Sequence, residues 1–579
     1  MRSSVLFAAS PDTQAKPPAP PRHITSLVKQ ALPVLLAASL ALPVVLLAQG
    51  GGLEPSDILK PLRDSWPTYN GDYTGRRYSA LTQIDQSTVK NLTLAWFSRV
   101  TAGPGAGGGR GGRAIVGGEG SGDFPPGTAS FKASALEVDG TLYISTPDNA
   151  WAIDARDGRE LWHYFWKTRG STHIANRGLG MWHDFLYMET PDNYLVSLDS
   201  KTGKERWHKV IADLAQQYFS TPAPVVIGNH VIAGTGNDID APGFLSSFDP
   251  ETGDLQWKHY TVPMKVGDPG LDTWSSLDRA QHGGAQTWIP GAYDPETNLY
   301  IFGTGNPTPA YTVGRGEGDN LFTCSLIAVN VDTGKMAWYF QTSPHDMHDW
   351  DSAQTPVLVD GMFNGKQRKM ALTASRNGYF FVVDRVTGEH LITSKYGKDT
   401  NWSTGLNKFG GPARDPGKDP SVAGSIVSPT AGGTINWQPP AYSPEAGLFY
   451  TAEGNGYSIF YLTDLDPRGS MGLGGKEEVS IGSGGSFLTA IDYKTGKIAW
   501  RHEYPQGGGG GGGLLTTAGK VLFAGDGGGN IVAHDVFTGN PLWHAKIGNV
   551  TNAPQTYMLD GHQYLLVATG DTLWSFLLY

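Results

Sequence analysis

The 579-residue sequence has a single cysteine, Cys324, so no disulfide and no cysteine-ligated zinc site can be built within the chain. For the same reason it has no Cys-x-x-Cys-His motif, which excludes a covalently attached c-type haem. Cys324 lies in the apolar run LFTCSLIAV, where a buried and unreactive thiol is expected.

Charge is also scarce. Charged residues make up 17% of the sequence, the formal net charge is −10 and the pI is near 5.8. Proteins that bind nucleic acids present basic patches or stripes, so this acidic balance argues against a nucleic-acid partner. Glycine, in contrast, is abundant at 78 residues, which is typical of many short strands joined by tight turns.

One long uncharged apolar run, residues 31–48, lies near the N-terminus and follows Arg22, His23 and Lys29. This pattern is typical of a secretory signal peptide, and the run could also serve as a short membrane anchor. We therefore expect residues 1–48 to be a signal peptide or short anchor and residues 49–579 to be the folded part. The protein is then expected to be exported to the periplasm.

The rest of the chain repeats one phrase seven times: an aspartate or asparagine, a glycine four residues later and, in six copies, a tryptophan four residues after that. The fifth copy has Ile392 in place of tryptophan. A repeat of roughly 45 residues that predicts strand, turn and strand is typical of a β-propeller. The indoles are expected to pack between neighbouring blades and to donate hydrogen bonds. The copies begin at Asp154, Asp199, Asp249, Asn330, Asp384, Asp492 and Asp535.

The sequence thus predicts an all-β, eight-bladed propeller, with seven blades as the alternative. The C-terminal segment has strands but no repeat phrase, so the strand ending at Trp96 is expected to complete its sheet and close the ring. Two long intervals between copies contain what we interpret as additional strand–turn–strand segments, 291–307 and 440–456. The glycine-rich stretch 103–127 is predicted to be a mobile loop.

One segment, TSPHDMHDWDSAQTPVL (342–358), concentrates acids and histidines that the repeat does not explain. Its Asp349 and Asp351 are two positions apart, so in an extended strand both carboxylates would point to one side and could meet one cation. Asn306 follows the glycine turn of GTGNP, and Asp238 lies in GTGNDID. Oxygen ligands of this kind favour Ca²⁺ or a larger trivalent ion over Zn²⁺.

The motifs around these residues resemble those of the pyrroloquinoline quinone (PQQ)-dependent dehydrogenases, the methanol and ethanol dehydrogenase superfamily of eight-bladed propellers. The resemblance implies oxidation of an alcohol to an aldehyde by hydride transfer to PQQ, with electrons passed to a separate acceptor such as a cytochrome c. With the repeats it covers about residues 65–575. The matching segments are RYSALTQI, NRGLG (176–180), GGAQTW (283–288), GTGNP, PHDMHDWD, SRNGYFFVVDRVTG (375–388) and TINWQPPAY (434–442).

The resemblance also implies roles for individual residues. Asp349 would be the base that removes the alcohol proton, and Arg376 would donate to a quinone oxygen. Trp288 would lie flat against the cofactor ring. The cation, Ca²⁺ or a lanthanide, would be held by Asp238, Asn306, Asp349 and Asp351. The cofactor would be bound by Lys132, Arg177, Gln286, Trp288, Arg376, Asn436 and Trp437.

Four positions, Asp351, Ser171, Thr172 and Lys132, bear on the metal and on the cofactor. An aspartate at the place of Asp351 accompanies lanthanide-dependent members of the family, but sugar-oxidising members that use divalent ions share it. Ser171 and Thr172 stand where many members have adjacent cysteines that cover the second face of the quinone, which leaves His173 as a candidate there. Lys132 stands where a glutamate or glutamine is usual.

Two other functions stay open at this point. A PQQ-dependent sugar or polyol dehydrogenase would differ only in its substrate pocket, and a non-catalytic propeller scaffold would share the repeat alone. A scaffold has no need for Asp238, Asn306, Asp349 and Arg376 in the family's order, so the sequence favours the enzyme.

Overall fold

The computed structural model describes residues 52–103, 114–120, 130–171, 173, 175–311, 313–462, 476–504, 507 and 511–579. The predicted signal or anchor, residues 1–48, lies outside them. In the described part of the chain no helix is long and apolar enough to cross a membrane. The helical elements there are one α-helix, α1 (Leu277–Gln281), and the 3₁₀ turns Pro55–Leu59, Val89–Asn91, Leu214–Gln216, Leu271–Thr273, Val313–Arg315 and Pro416–Lys418.

Strands are the main regular secondary structure of the described residues. In chain order they are β1 (Tyr78–Ser79), β2 (Leu92–Arg99), β3 (Ala114–Gly117), β4 (Leu136–Val138), β5 (Thr141–Thr146), β6 (Asn149–Asp154), β7 (Glu160–Trp166), β8 (Gly180–Trp182), β9 (Phe185–Glu189), β10 (Tyr194–Asp199), β11 (Glu205–Val210), β12 (Val225–Ile227), β13 (His230–Ala233), β14 (Phe244–Phe248), β15 (Leu255–Tyr260), β16 (Ala292–Asp294), β17 (Leu299–Gly303), β18 (Ser325–Asn330), β19 (Met336–Gln341), β20 (Val357–Phe363), β21 (Lys366–Ala374), β22 (Tyr379–Asp384), β23 (His390–Lys395), β24 (Ser403–Leu406), β25 (Pro412–Arg414), β26 (Ser425–Val427), β27 (Ala441–Ser443), β28 (Leu448–Leu462), β29 (Lys476–Asp492), β30 (Ile498–Glu503), β31 (Leu514–Thr517), β32 (Val521–Gly525), β33 (Asn530–Asp535), β34 (Pro541–Lys546), β35 (Gln555–Leu559), β36 (His562–Thr569) and β37 (Thr572–Leu578).

Besides the two-stranded sheet β24–β25, the described strands form eight sheets built on four antiparallel strands: β4–β7, β8–β11, β12–β15, β16–β19, β20–β23, β27–β30, β31–β34, and β35–β37 with β2. In the last of these, β2 from the N-terminal region pairs with β37, so that Leu92 faces Leu578 and Arg99 faces Thr572. This is the terminal pairing that the sequence predicts, although β2 continues beyond Trp96. The all-β class is confirmed; the number of blades and the closure of the ring stay predictions.

The repeated phrase forms the turn between the third and fourth strands of a sheet. At Asp199, the backbone carbonyl accepts the Gly203 N–H (2.8 Å) and the carboxylate accepts the Thr202 N–H (2.8 Å). Gly203 has φ +69°, a left-handed conformation that glycine adopts without the steric penalty of a Cβ. The phrase is therefore a turn stabilised by aspartate and permitted by glycine.

In five of the phrases the tryptophan contacts the turn of the next sheet. The Trp162 indole N–H donates to the Ser200 carbonyl (2.8 Å), and a Cβ on Gly203 would lie 2.7 Å from the same indole. Where the fifth copy has Ile392, that side chain lies against Gly496 instead. The expected packing of the indoles between sheets is thereby confirmed. The same pairing recurs for Trp96 with Gly158, Trp207 with Gly253, Trp257 with Gly334, Trp338 with Gly388 and Trp500 with Gly539.

Two expectations need correction. Segments 291–307 and 440–456 are not additions, because β16–β17 and β27–β28 are the first hairpins of ordinary sheets. The additional length of those intervals lies in connections such as 261–291 and 396–440. The predicted mobile loop 103–127 lies mostly outside the described residues. For residues 114–117 the prediction is wrong, because this short apolar run forms β3 and pairs in parallel with the edge of β7.

Replacing Gly203 with alanine tests the contact between sheets. We expect Gly203→Ala to lower the midpoint of thermal unfolding more than Gly365→Ala. Gly365 has a similar φ (+76°) but nothing within 4 Å of an added Cβ, so it reports backbone strain alone, about 1–2 kcal/mol. Calorimetry of both variants measures the difference. Equal losses would contradict a structural role for the glycine–indole contact.

Candidate active site

A cavity of about 330 Å³ brings together ten of the eleven residues that the sequence predicts for the site. The eleventh, Trp437, lies beside it, with the Lys132 ammonium 5.8 Å and the Arg177 guanidinium 5.9 Å from its ring. The ten lining residues are Lys132, Arg177, Asp238, Gln286, Trp288, Asn306, Asp349, Asp351, Arg376 and Asn436.

These residues meet because they all lie at one end of the sheets. The first two strands of a sheet form an antiparallel hairpin, so the start of the first strand and the end of the second lie side by side. Residues before a first strand are Lys132, Arg177, Gln286, Trp288, Asp349, Asp351 and Asn436. Residues after a second strand are Asp238, Asn306 and Arg376.

Arg376 links the two carboxylates of the Asp-x-Asp pair. Its guanidinium donates to Asp351 Oδ2 (2.5 Å) and to the Ala431 carbonyl (2.6 Å), and lies 3.7 Å from Asp349 Oδ2. Asp351 Oδ1 accepts the backbone N–H of Asn306 (2.6 Å). Such charge-assisted bonds are short and directional, so they orient Asp351 firmly.

Asp349 is held by the turn that carries it. Its φ is +66°, and its backbone N–H donates to Asp346 Oδ2 (2.9 Å), which also accepts the Trp350 N–H (3.1 Å). The Tyr311 hydroxyl donates to Asp349 Oδ2 (3.1 Å). Asp346 thus stabilises a strained backbone that directs the Asp349 carboxylate into the cavity.

The carboxyl groups of this cluster share one electrostatic environment. Burial raises the pKa of Asp349 well above its usual range; Arg376 opposes the shift, and Asp351 and Asp238 add to it. Burial likewise raises the pKa of Asp351, again opposed by Arg376. Although burial disfavours a charged guanidinium, these carboxylates hold the pKa of Arg376 above its usual range. A cation bound beside these carboxyl groups would favour their ionised form.

A second group of cavity residues is cationic and aromatic. The Arg177 guanidinium lies 4.8 Å from the Trp288 ring and donates to the Thr221 carbonyl (3.0 Å). Burial lowers the pKa of Arg177 to about 10, and burial and Arg177 lower the pKa of Lys132. The two cations stay close together without a carboxylate partner among the described residues, which favours an anionic ligand.

Asp238 is paired with a histidine. His173 Nε2 lies 2.7 Å from Asp238 Oδ2, and this hydrogen bond raises the pKa of His173. The His173 ring also contacts the Phe219 ring, with 4.7 Å between centroids. The sequence predicted His173 as a candidate to cover the second face of the quinone but not as the partner of Asp238, and it did not identify Phe219.

The predicted metal ligands line one cavity, but their side chains are not grouped closely enough to form a metal site. In the described part of the chain, no three histidine, cysteine, aspartate or glutamate side chains are grouped as a metal site. Asp351 is engaged by Arg376 and Asp238 by His173. The metal site therefore stays a prediction. Cys324, in contrast, is buried and unpaired, as expected.

Sequence reasoning missed the residues that support the site. Asp346 was one of several acids in the 342–358 segment, and only the turn geometry distinguishes it. Tyr311 lies five residues after Asn306, in a connection with no periodic signal. Phe219 lies in a connection of irregular backbone between β11 and β12. Asp346 acts through hydrogen bonds within its turn, and Tyr311 and Phe219 act through contacts between distant segments, none of which the spacing reveals.

Comparisons with known proteins agree with this geometry. A family model described as "Glucose/ethanol/alcohol dehydrogenase, beta-propeller domain" matches residues 66–396. A second, "Outer membrane protein assembly factor BamB", matches residues 483–577, a segment of repeats that contains none of the cavity residues.

Curated relatives and solved structures give the same result. The quinohemoprotein alcohol dehydrogenase ADH IIB of Pseudomonas putida is 32% identical over 93% of this chain and 78% of that protein. The quinoprotein alcohol dehydrogenase PedH of P. putida is 33% identical over 93% of this chain and 92% of that protein. The quinohemoprotein alcohol dehydrogenase of Comamonas testosteroni superposes with a TM-score of 0.78 at 29% identity, covering 91% and 82% of the two chains. A europium-containing methanol dehydrogenase superposes with a TM-score of 0.76 at 26% identity, and the match covers 88% of this chain and 91% of that protein.

The fold and the cavity thus define an all-β protein of the propeller class with a charged, aromatic-walled site. The chain belongs to the family of PQQ-dependent quinoprotein alcohol dehydrogenases, which confirms the resemblance seen in the sequence. It is accordingly an enzyme and not a non-catalytic scaffold.

The role of Asp346 in holding the turn can be tested without any substrate. In Asp346→Ala the Asp349 and Trp350 amides lose their acceptor, a local loss of about 1–3 kcal/mol. Peptides spanning 345–352 should then exchange amide hydrogens roughly tenfold faster or more by mass spectrometry. Asp346→Asn keeps an acceptor oxygen and should exchange nearly as slowly as the parent protein. Unchanged exchange in the alanine variant would contradict the role.

Proposed function

We propose that this enzyme oxidises an alcohol to an aldehyde with PQQ and a cation, Ca²⁺ or a lanthanide, bound in the cavity and with Asp349 as the base. The observation that carries the proposal is the convergence of Asp349, Arg376 and Asp351 with Arg177 and Trp288 on one cavity. An acid–base group, a cationic donor and an aromatic wall then face the same volume.

The cavity residues fit a planar, polyanionic quinone. Arg177 Nε, Arg376 Nε and Gln286 Oε1 are buried and have no hydrogen-bond partner among the described residues. Such atoms are costly unless a ligand or water satisfies them. Lys132 and Arg177 would bind carboxylates of PQQ, Arg376 a quinone oxygen, and Trp288 its ring. PQQ would supply the two-electron acceptor that no protein side chain provides.

The charges of the cavity support a cation beside the cofactor. Lys132, Arg177 and Arg376 are matched by the three carboxylates Asp238, Asp349 and Asp351. A tricarboxylate cofactor would leave this volume strongly negative, and a cation would counteract both this charge and the burial that raises the pKa values of Asp349 and Asp351. Asp238, Asn306, Asp349 and Asp351 would hold the ion through oxygen ligands.

Asp349 is suited to act as the base once the cation is bound. A nearby positive ion lowers the pKa of a carboxyl group, so it would counteract the burial that raises the pKa of Asp349. The ionised carboxylate, held by the Asp346 turn, can then accept the hydroxyl proton of the alcohol. Arg376 would stabilise negative charge on the oxygen it faces.

We also propose a separate electron acceptor such as a cytochrome c, export to the periplasm, and eight blades closed into a ring. The single cysteine supports a separate acceptor, since this sequence carries no covalent haem. The apolar run 31–48 supports export. Closure is supported by the Trp96 contact from the last sheet to Gly158 of β4–β7, and by the 5.5 Å contact of Trp543 with Phe576.

Dye-linked oxidation of an alcohol panel by apoprotein given PQQ with Ca²⁺ or La³⁺ tests the proposal, and sugars and polyols in the same panel test the alternative substrate class. Asp349→Asn should lower kcat about 100-fold or more while PQQ binding persists. Absence of activity with both ions would overturn the proposal.

The charge of Asp351 bears on whether the site prefers a trivalent or a divalent ion. If its charge favours a trivalent ion, Asp351→Ala should lose La³⁺-dependent activity more than Ca²⁺-dependent activity, because one negative charge leaves the site. Glu296→Gln, an exposed acid outside the cavity, is the charge-matched control. La³⁺-dependent activity spared in Asp351→Ala would contradict this part of the proposal.

A further inference from the structure

Aromatic rings line the cavity in two groups. One is Trp288, which contacts the Arg177 guanidinium. The other is the pair of His173 and Phe219, whose ring centroids are 4.7 Å apart at an interplanar angle of 50°. Within the described residues no ring contact joins Trp288 to either member of the pair. All three rings line the same cavity.

Backbone hydrogen bonds and close packing hold Phe219 in place beside the cavity. It is buried, and it exchanges two backbone hydrogen bonds with Gly236, at 3.0 and 2.8 Å. A Cβ on Gly236 would overlap the Phe219 ring, so the glycine is what lets the ring lie flat on this backbone. Asp238 follows two residues later, so one short segment positions both the ring and the carboxylate.

His173 connects these two features. Its Nε2 lies 2.7 Å from Asp238 Oδ2, while its ring contacts Phe219. About half of its side chain is exposed (46%), so the imidazole borders the open part of the cavity. A hydrogen-bonded partner of this kind restricts the rotation of a ligating carboxylate, and loss of such partners typically weakens metal binding.

We propose that His173 and Phe219 form the second wall of the cofactor site and that His173 is also a positioning residue for Asp238. The proposal rests on PQQ occupying this cavity. Phe219 supplies a rigid aromatic surface for a planar ligand. His173 contributes its ring to the same surface and its Nε2–H to the carboxylate that would hold the cation.

Two substitutions at His173 separate these roles. His173→Phe keeps the ring and removes the hydrogen bond, whereas His173→Gln keeps an N–H donor and removes the ring. Phe219→Leu removes the aromatic surface and leaves the hydrogen bond. His282→Gln is the matched control, because His282 bonds to the Asp240 carbonyl on the same connection but does not line the cavity.

The readouts are equilibrium binding of PQQ to apoprotein and sensitised luminescence of Tb³⁺ as the cation probe. Phe219→Leu and His173→Gln should weaken PQQ binding about three- to tenfold, the usual value of an aromatic contact, with Tb³⁺ affinity unchanged. His173→Phe should weaken Tb³⁺ binding about tenfold or more and leave PQQ binding within about twofold. The control should change neither affinity.

The outcomes distinguish this inference from the proposed function. If the parent protein binds no PQQ, the proposed function itself fails. If it binds PQQ and the three variants bind both ligands like the parent, the second wall and the positioning role are both wrong. If His173→Phe and His173→Gln lose both affinities equally, with unchanged thermal midpoints, His173 does not divide its roles as proposed and the inference is overturned.

Discussion

Most neighbouring sheets in the described part of this protein are joined by a tryptophan that lies on a turn glycine of the other sheet and donates its indole N–H to a carbonyl of that turn. The contact at Trp162 and Gly203 shows why the repeat tolerates so little change. The glycine is needed for its left-handed backbone and also for the absence of a side chain, because the indole occupies that space. The indole in turn buries a large apolar surface between sheets.

This constraint leaves the opposite parts of each sheet free to vary. The turn phrase lies between the third and fourth strands, whereas the cavity residues lie at one end of the first hairpin. Connections before the first strand and after the second can therefore differ in length and composition without disturbing the contacts between sheets. The charged cluster of Asp349, Asp351 and Arg376 is tolerated there because each group is paired, and the scaffold supplies the stability that the buried charges do not.

Much of the fold could be predicted from the sequence because the repeat has a simple physical basis. The turn glycines and the indoles follow from the repeated phrase. The pairing of β2 with β37 follows from the strands before the first copy and after the last copy of that phrase. The failures have equally specific causes. The β3 strand is a short apolar run that pairs only because β7 offers a free edge. The hairpins in the long intervals looked like additions because the added residues have no periodicity.

Some residues of the site could likewise be predicted from the sequence, and others could not. The resemblance located the residues that would contact cofactor and cation, and the structure brings ten of them to one cavity. It could not locate Asp346 or Phe219, or show that His173 pairs with Asp238, since these depend on turn geometry and on contacts between distant segments.

The most direct test of the account is the crystal structure of the enzyme reconstituted with PQQ and La³⁺, with the ion located by anomalous scattering. We expect one strong anomalous peak in the cavity, at roughly 2.5 Å from carboxylate and amide oxygens of Asp238, Asn306, Asp349 and Asp351, beside a quinone that lies on Trp288. A peak outside the cavity, or PQQ bound away from Trp288 and Arg376, would contradict the account.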